Sequence, residues 1–316
     1  MTDKNTPFVP PTPPTLLVEL LRLLKDPDTS ASQIATLIGK DPGLTGHILR
    51  SVNSSFFGVA ERVGSLLQAV ALLGNRTLKM VSLAYCLKKF VRDASASGFD
   101  YNGFWQFSLA CGVAANLLAR EQGTCNPDEA FVGGLMCRIG CPAIFQKDPD
   151  AYKAILLATA DAQRPLYLCE RERFDTDHAD VSAIILADWK LPDHMVEAVR
   201  FQYEPDRCTD PKAVAMARIL DAAGLMAVCF SRRDSQEIYR RMLMECVERL
   251  DIEFERAEAL LCQIAEKMDE AASLFAVTIP GGENVESLVS EAHKHMEELQ
   301  SEVDSVVNEL RESAAM

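Results

Sequence analysis

The sequence lacks long apolar runs and the short motifs that mark several large classes of enzyme. No stretch approaches the roughly 20 apolar residues of a membrane-spanning helix. The N-terminal residues, MTDKNTPFVPPTPPTLL, contain no apolar segment of the kind that a secretory signal needs. A P-loop, a GxSxG turn and a GxGxxG loop are also absent, so these common nucleotide and ester chemistries have no motif here. We therefore expect a cytoplasmic protein with no membrane contact.

Cysteine is frequent but is not arranged in metal-binding or disulfide patterns. The ten cysteines contain no CxxC spacing, and the two that lie nearest in sequence, Cys137 and Cys141, have no other type of metal ligand beside them. Scattered cysteines in a reducing compartment are typically buried thiols that pack like small apolar side chains. We expect no disulfide framework and no cofactor.

Excess positive charge is also missing, and the negative charge is unevenly placed. The segment from Asp234 to Met316 contains 20 acidic and 7 basic residues, whereas residues 1–233 contain 26 acidic and 25 basic residues. Nucleic-acid binding depends largely on lysine and arginine side chains that neutralise phosphates. We therefore expect no nucleic-acid partner, and we interpret the acidic segment as a solvated helical surface.

Apolar residues recur at spacings of three and four along most of the chain, which predicts helices. No segment shows the alternation of a half-buried strand, so the predicted fold class is all-α, an irregular multi-helix bundle. The predicted units are a proline-rich lead-in at 1–14, helical halves at 15–98 and 99–233, and an acidic helical tail at 234–316. Within residues 99–233, helices are predicted at Trp105–Arg120, Pro127–Ile139, Pro165–Phe174, His178–Trp189 and Val214–Phe230, among others.

The stretch from Asp41 to Leu83 has a helical pattern with a polar interruption. Asp41 is a good N-cap, and Pro42 suits the first helical position. Short polar side chains, which compete for backbone hydrogen bonds, then break the pattern before two aromatic residues and a glycine. The candidate surface in this stretch comprises Asp41, Asn53, Ser54, Phe56, Phe57 and Gly58. It is either an architectural joint or a surface that faces a partner, and both interpretations stay open.

Three segments of the first 90 residues resemble the HDOD domain, a relative of the HD-domain phosphohydrolases found in bacterial signalling proteins. They are PPTPPTLLVELLRLLKDP, IATLIGKDPGLTGHILRSVNSSFFG and VGSLLQAVALLGNRTLKMVSLA, in the order and spacing of that family. The resemblance continues to about residue 230, most clearly through FDTDHADVSAIILADWKLPDHMVEAVRFQYEP. It implies an HD-like helical bundle that transmits signals or scaffolds partners and is catalytically inactive. Receiver, GGDEF and EAL domains often accompany HDOD domains. The sequence contains none of them, so a stand-alone regulator and part of a longer protein both stay open.

The resemblance also implies where an HD enzyme would hold its metal, and the residues at those positions are mostly unsuitable. The HD pattern is a His, a later His-Asp doublet and a final Asp. The first His falls at Phe107 and the doublet at Cys137 and Arg138, whereas Asp221 matches the final Asp. Phenylalanine cannot coordinate a metal, and the fixed positive charge of arginine repels one. We therefore predict that the HD-type metal site is lost.

His178 is the best remaining candidate for chemistry, because Asp177 and Asp180 lie beside it at the start of a predicted helix. One interpretation is a residual metal or phosphate site. The other is a helix start, in which Asp177 accepts backbone N–H groups and both acids suit the positive end of the helix. We favour the helix start, because a metal site needs further ligands that the sequence does not supply.

The last predicted helix carries a heptad pattern between residues 283 and 312. Its apolar positions follow alternating steps of four and three: Val285, Val289, Ala292, Met296, Leu299, Val303, Val306 and Leu310. This pattern predicts a homodimer contact or a connector to another domain. A helix that packs back on its own body is the alternative.

Taken with the resemblance, the sequence favours a non-enzymatic regulatory module that acts through protein partners in a signalling pathway. Two alternatives stay open. One is a residual metal-dependent phosphohydrolase that uses His178, Asp221 and Cys137. The other is a small-ligand sensor of a cyclic-di-nucleotide signalling protein, with a pocket between the two helical halves.

Overall fold

The computed structural model describes residues 15–25, 28–53, 62–74, 78, 82, 85–86, 98–161, 164–231 and 236–275. The predicted all-α fold class is confirmed, because no residue in these ranges lies in a strand. The helices are α1 (Thr15–Lys25), α2 (Ala31–Ile38), α3 (Pro42–Val52), α4 (66–74), α5 (Tyr101–Gln122), α6 (Pro127–Met136), α7 (Cys141–Lys147), α8 (Pro149–Asp161), α9 (Leu166–Phe174), α10 (His178–Asp188), α11 (Asp193–Arg200), α12 (Pro211–Ser231), α13 (Gln236–Leu250) and α14 (Phe254–Phe275). A short 3-10 turn at Pro205–Arg207 precedes α12. Among the described helices, none combines the length and apolarity needed to cross a bilayer.

The first helices begin where their capping residues predict. Ser30 and Gln33 form a reciprocal capping box at the start of α2. The Asp41 carboxylate accepts the Leu44 N–H at 2.9 Å and caps α3, with Pro42 at the first helical position. The apolar faces of α1, α2 and α3 then pack in sequence on one another and contribute to the hydrophobic core.

Asn53 joins the end of α3 to the segment before α4. Its Nδ2 donates to the carbonyl oxygens of Leu49 at 2.7 Å and Val63 at 2.8 Å, and its Oδ1 accepts the Val63 N–H at 2.8 Å. These bonds fix the chain on both sides of residues 54–61, which favours the architectural interpretation of Asn53. Ser54, Phe56, Phe57 and Gly58 lie outside the described residues.

Helix α5 runs through the centre of the bundle and contacts α6, α12 and α14. It contacts α6 at very short range through small residues. A Cβ added to Gly134 on α6 would lie 2.6 Å from the Cys111 carbonyl oxygen and 2.9 Å from the Gly112 Cα on α5. The two backbones can therefore approach this closely only because position 134 has no side chain.

Helices α13 and α14 pack on the bundle, although they lie in the segment that the sequence predicts as an acidic tail. α13 contacts α12, and α14 contacts α5. Gln122 donates to the Leu250 carbonyl oxygen at 2.5 Å, and Arg256 binds both carboxylate oxygens of Glu121 at 2.8 and 2.6 Å. Residues 236–275 therefore share the core of the bundle. The predicted heptad helix at 283–312 lies outside the described residues.

Candidate functional site

Arg138 and Phe107 hold two of the positions that the resemblance assigns to metal ligands, and they are in contact. Phe107 lies on α5, and Arg138 lies in the turn between α6 and α7. The guanidinium carbon of Arg138 is 3.5 Å from the centroid of the Phe107 ring, which is a cation–π stack. A side-chain cation therefore stands against the position of the first predicted ligand.

The neighbouring Cys137 is directed into the contact between α5 and α6. Its Sγ lies 3.7 Å from the Cys111 Sγ and 3.2 Å from the Gly134 carbonyl oxygen, and both thiols are buried. The hydrogen bond between the thiols lowers the pKa of Cys137 and raises the pKa of Cys111. The sulfur of Cys137 is thus engaged between two helices.

His178 is fully buried at the centre of a polar network that spans α8, α9 and the chain after α11. Its backbone N–H donates to Glu170 Oε2 at 2.8 Å, and its Nδ1 lies 2.5 Å from the same oxygen. Glu170 Oε1 accepts the Tyr152 hydroxyl at 2.8 Å. The Nε2 of His178 lies 2.8 Å from the Tyr203 hydroxyl. Both ring nitrogens and both carboxylate oxygens therefore have partners within the protein.

Glu170 keeps its negative charge although it is buried. Burial disfavours the charge, but the charge and hydrogen bonds of His178, together with the Tyr152 hydroxyl, outweigh this effect and hold the pKa of Glu170 below its usual value. An ionised carboxylate only accepts hydrogen bonds, so Nδ1–H of His178 is the donor. Burial also raises the pKa of the nearby Cys141, which is therefore a neutral thiol at neutral pH.

Cys141, Glu170 and His178 are close enough together to hold a metal ion. Their ligand atoms lie within 4.8 Å of one another, and all three residues are buried. A bound metal would have to replace the hydrogen bond between His178 and Glu170 and displace the Cys141 proton, because metal ligands must be deprotonated. The contacts in place fit a satisfied polar network better than a metal site.

The start of α10 agrees with the helix-start interpretation of this region. Asp177 is the N-cap, and its Oδ1 accepts the Asp180 N–H at 2.9 Å. Arg171 donates to the other Asp177 oxygen at 2.6 Å and to Glu204 at 3.1 Å. Asp177 therefore both orders the backbone at the start of α10 and neutralises an arginine.

Asp221 pairs with a residue of α13 and is not part of the His178 network. Its Oδ2 lies 3.1 Å from Arg249, which also pairs with Glu245. Burial and the Glu245 carboxylate raise the pKa of Asp221 to about 7, although Arg249 and Arg241 act in the opposite direction. Of the candidate metal positions, the structure thus brings Phe107 and Arg138 together, and Asp221 lies outside the group formed with His178.

The family of the chain follows from a match to a family model over a range that includes most of the residues described above. The model of the HDOD domain family matches residues 11–205, from the lead-in through α11. The chain belongs to the HDOD domain family. The match includes Phe107, Arg138 and the whole His178 network, and it ends before Asp221. The HDOD domain is HD-like, and members of the family are usually degenerate relatives of the HD enzymes.

Known proteins similar to this HDOD domain include one curated relative. An uncharacterised protein of Treponema pallidum is 26% identical over 195 residues, which are 60% of this chain. The match spans only 37% of that protein, so the chain corresponds to about a third of its length.

Solved structures show the same fold. An HDOD domain protein of unknown function from Geobacter sulfurreducens matches with a TM-score of 0.67 and 19% identity, covering 84% of this chain and 92% of that one. A candidate phosphohydrolase from Shewanella amazonensis matches with a TM-score of 0.65 and 23% identity, covering 84% and 94%. A candidate signal transduction protein from Marinobacter aquaeolei has a TM-score of 0.66 and 18% identity, covering 84% and 59%. At these identities, the similarity establishes the fold.

Sequence reasoning missed three residues of the polar network in this HDOD domain: Tyr152, Glu170 and Tyr203. Glu170 lies in LYLCERERF, where acidic and basic residues alternate and nothing marks one carboxylate as buried. Its partners lie 8 and 18 residues away on other elements. Glu170 and His178 are eight residues apart and lie on different helices, so no periodic pattern in the sequence links them. Only the packed fold reveals the network.

The raised pKa of Asp221 predicts a pH dependence of stability. The pKa is about 7 in the folded chain and 3.8 ordinarily, so the folded state holds more protons between about pH 4 and pH 7 and its stability falls as pH rises through this window. We expect Asp221→Asn to remove this loss. The free energy of unfolding of the variant should therefore rise by about 2 kcal/mol relative to that of wild type as the pH goes from 5 to 8.

Urea unfolding at pH 5, 6, 7 and 8 measures this difference. Asp206→Asn is the matched control, because Asp206 also pairs with an arginine, Arg218, but its side chain is 93% exposed. A constant difference between Asp221→Asn and wild type at all four pH values would contradict the assignment.

Proposed function

We propose that this HDOD domain is a regulatory module without phosphohydrolase activity and that it acts through contacts with proteins of a signalling pathway. The observation that carries the proposal is the stack of Arg138 on Phe107. HD chemistry needs a divalent ion that polarises a phosphate and activates water. A guanidinium at this place supplies a positive charge, but it provides neither a coordination site nor a metal-bound water.

The buried network supports the same proposal. His178 and Glu170 form the only pair of a histidine and a carboxylate within the candidate metal group of the described residues, and their polar atoms already bind one another or a tyrosine hydroxyl. Both residues are inaccessible to solvent. A hydrolytic group must reach its substrate and a water molecule. We therefore assign the network a role in holding α9 and α10 together.

Exposed apolar side chains support action through protein contacts. Leu157 on α8 is 69% exposed, and its neighbour in sequence Leu156 and Leu168 on α9 are also exposed. On α4, Leu67 is 68% exposed and Leu72 is 54% exposed. Leu156 and Leu157 are adjacent in the chain, and exposed apolar residues that lie together on a surface are typical of interaction sites. The predicted homodimer or connector role of 283–312 stays a proposal.

Hydrolysis assays on the full chain test the proposal. We expect no release of product from p-nitrophenyl phosphate or bis-p-nitrophenyl phosphate with Mn²⁺, Mg²⁺ or Zn²⁺ present, and no change on His178→Ala. His194→Ala is the matched control, because His194 pairs with Glu129 at 3.0 Å but is partly exposed. Metal-dependent turnover that His178→Ala abolishes and His194→Ala preserves would overturn the proposal in favour of a residual phosphohydrolase.

A further inference from the structure

Arg138 carries a charge that no carboxylate in the described part of the chain neutralises. Its Nε is buried without a hydrogen-bond partner, and its side chain is only partly exposed. The groups that act on its charge most strongly are Tyr203, Cys141 and Cys137. Tyr203 and Cys141 are neutral at neutral pH, because burial raises the pKa of each. Arg138 is therefore a cation in a mainly neutral environment.

Two other arginines of this region do have carboxylate partners. Arg171 binds Asp177 and Glu204, and Arg249 binds Asp221. Removing a charge from water without a partner is costly, and partly buried cations are normally paired. A guanidinium that stacks on an aromatic ring but has no carboxylate partner therefore indicates a place for an anion that the chain does not itself supply.

A second cation lies at the same face of the fold. Arg241 on α13 is partly exposed, forms no ion pair with the described residues, and lies close enough to Tyr167 and Asp221 for its charge to oppose the rise in pKa that burial gives both groups. Tyr167 stacks on Tyr203 with ring centroids 4.1 Å apart and planes 8° apart. Both tyrosines are partly exposed, and the charge of Arg138 acts on Tyr203 whereas that of Arg241 acts on Tyr167, so the stacked pair is close to both arginines.

We propose that Arg138 anchors a binding site for a small phosphate-bearing anion, with Arg241 as the second cation and the Tyr167–Tyr203 pair as one wall. A guanidinium presents a planar fork of donors that matches the oxygens of a phosphate group. The acids that act on the two tyrosines, Asp221, Glu204 and Glu170, are already engaged by Arg249, Arg171 and His178 respectively. This inference rests on the proposed function in one respect, since both take the guanidinium of Arg138, and not a metal ion, as the positive charge beside Phe107.

Titration of the full chain with inorganic pyrophosphate at constant ionic strength tests the site, with calorimetry as the measurement. We expect wild type to bind one pyrophosphate per chain and Arg138→Met to bind it roughly 100-fold more weakly, as loss of hydrogen bonds to a charged group implies. Arg241→Met should weaken binding roughly tenfold. Arg218→Met is the matched control, because Arg218 lies on α12 in an exposed pair with Asp206. This variant should bind pyrophosphate with the affinity of wild type.

Arg138→Lys keeps the positive charge but lacks the planar fork of donors, so its affinity for pyrophosphate should lie between those of wild type and Arg138→Met. If Arg138→Met does not fold, Arg138→Lys provides the test. Equal affinity in wild type and the Arg138 variants, no binding by wild type, or an equal loss in Arg218→Met would each overturn the site. Phosphate release is measured in the same samples. Binding without release supports both proposals, whereas release that needs a metal would overturn the proposed function alone.

Discussion

Gly134→Ala is expected to destabilise the protein by about 3 kcal/mol or more, because the new methyl group would collide with backbone and not with a flexible side chain. The added Cβ would lie 2.6 Å from the Cys111 carbonyl oxygen and 2.8 Å from its carbonyl carbon. Relief requires α5 and α6 to separate. That movement would also disturb the turn that carries Arg138 and the thiol contact of Cys137.

Gly224→Ala is the matched control for this prediction. Gly224 lies within α12, and an added Cβ would have no heavy atom within 4 Å. Alanine has a higher helix propensity than glycine, so this variant should gain about 0.5–1 kcal/mol. Urea unfolding of the two variants measures both changes. Equal stability of Gly134→Ala and wild type would contradict the close approach of α5 and α6, because it would show that the contact has room for a methyl group.

Glu170→Ala is expected to lower the free energy of unfolding by about 3–5 kcal/mol, which is the range for removing one partner of a buried charged pair. The change leaves the Nδ1–H and backbone N–H of His178 and the Tyr152 hydroxyl without their acceptor. All of these groups are buried, so water cannot readily replace the carboxylate.

Glu172→Ala, two residues further along α9, is the control for Glu170→Ala. Glu172 pairs with Arg164 on the surface, where its side chain is 64% exposed, and the midpoint of unfolding should not change. The double variant Glu170→Ala/His178→Ala then separates pairing from packing. If the two residues stabilise the fold by pairing, the double variant should lose less than the sum of the single losses. Additive losses would contradict the network.

The features that the sequence predicted well depend on residues close together in the chain. The all-α class followed from apolar spacing, and the caps at Asp41 and Asp177 followed from the residue type just before each helix. The predicted helix Val214–Phe230 corresponds to the observed Pro211–Ser231. The short helix Cys141–Lys147 has less than two turns of pattern and was not predicted.

The features that the sequence could not predict depend on contacts between distant elements. The resemblance implied that Phe107 and Arg138 stand where HD enzymes hold metal ligands, but it could not predict the stack of one on the other, because that contact joins α5 to the turn after α6. The packing of α13 on α12 was hidden by the acidic composition of that segment, in which apolar residues such as Leu243 and Cys246 face the core.

The metal content of the full chain tests the central claim, a lost metal site, most directly. The protein is incubated with Mn²⁺ and Zn²⁺ in turn, freed from unbound ion by gel filtration, and analysed by elemental mass spectrometry. If the metal site is lost, we expect far less than one ion per chain and the same value for His178→Ala. One ion per chain in wild type that is lost in His178→Ala would contradict it, because it would show that the buried network of His178, Glu170 and Cys141 holds a metal.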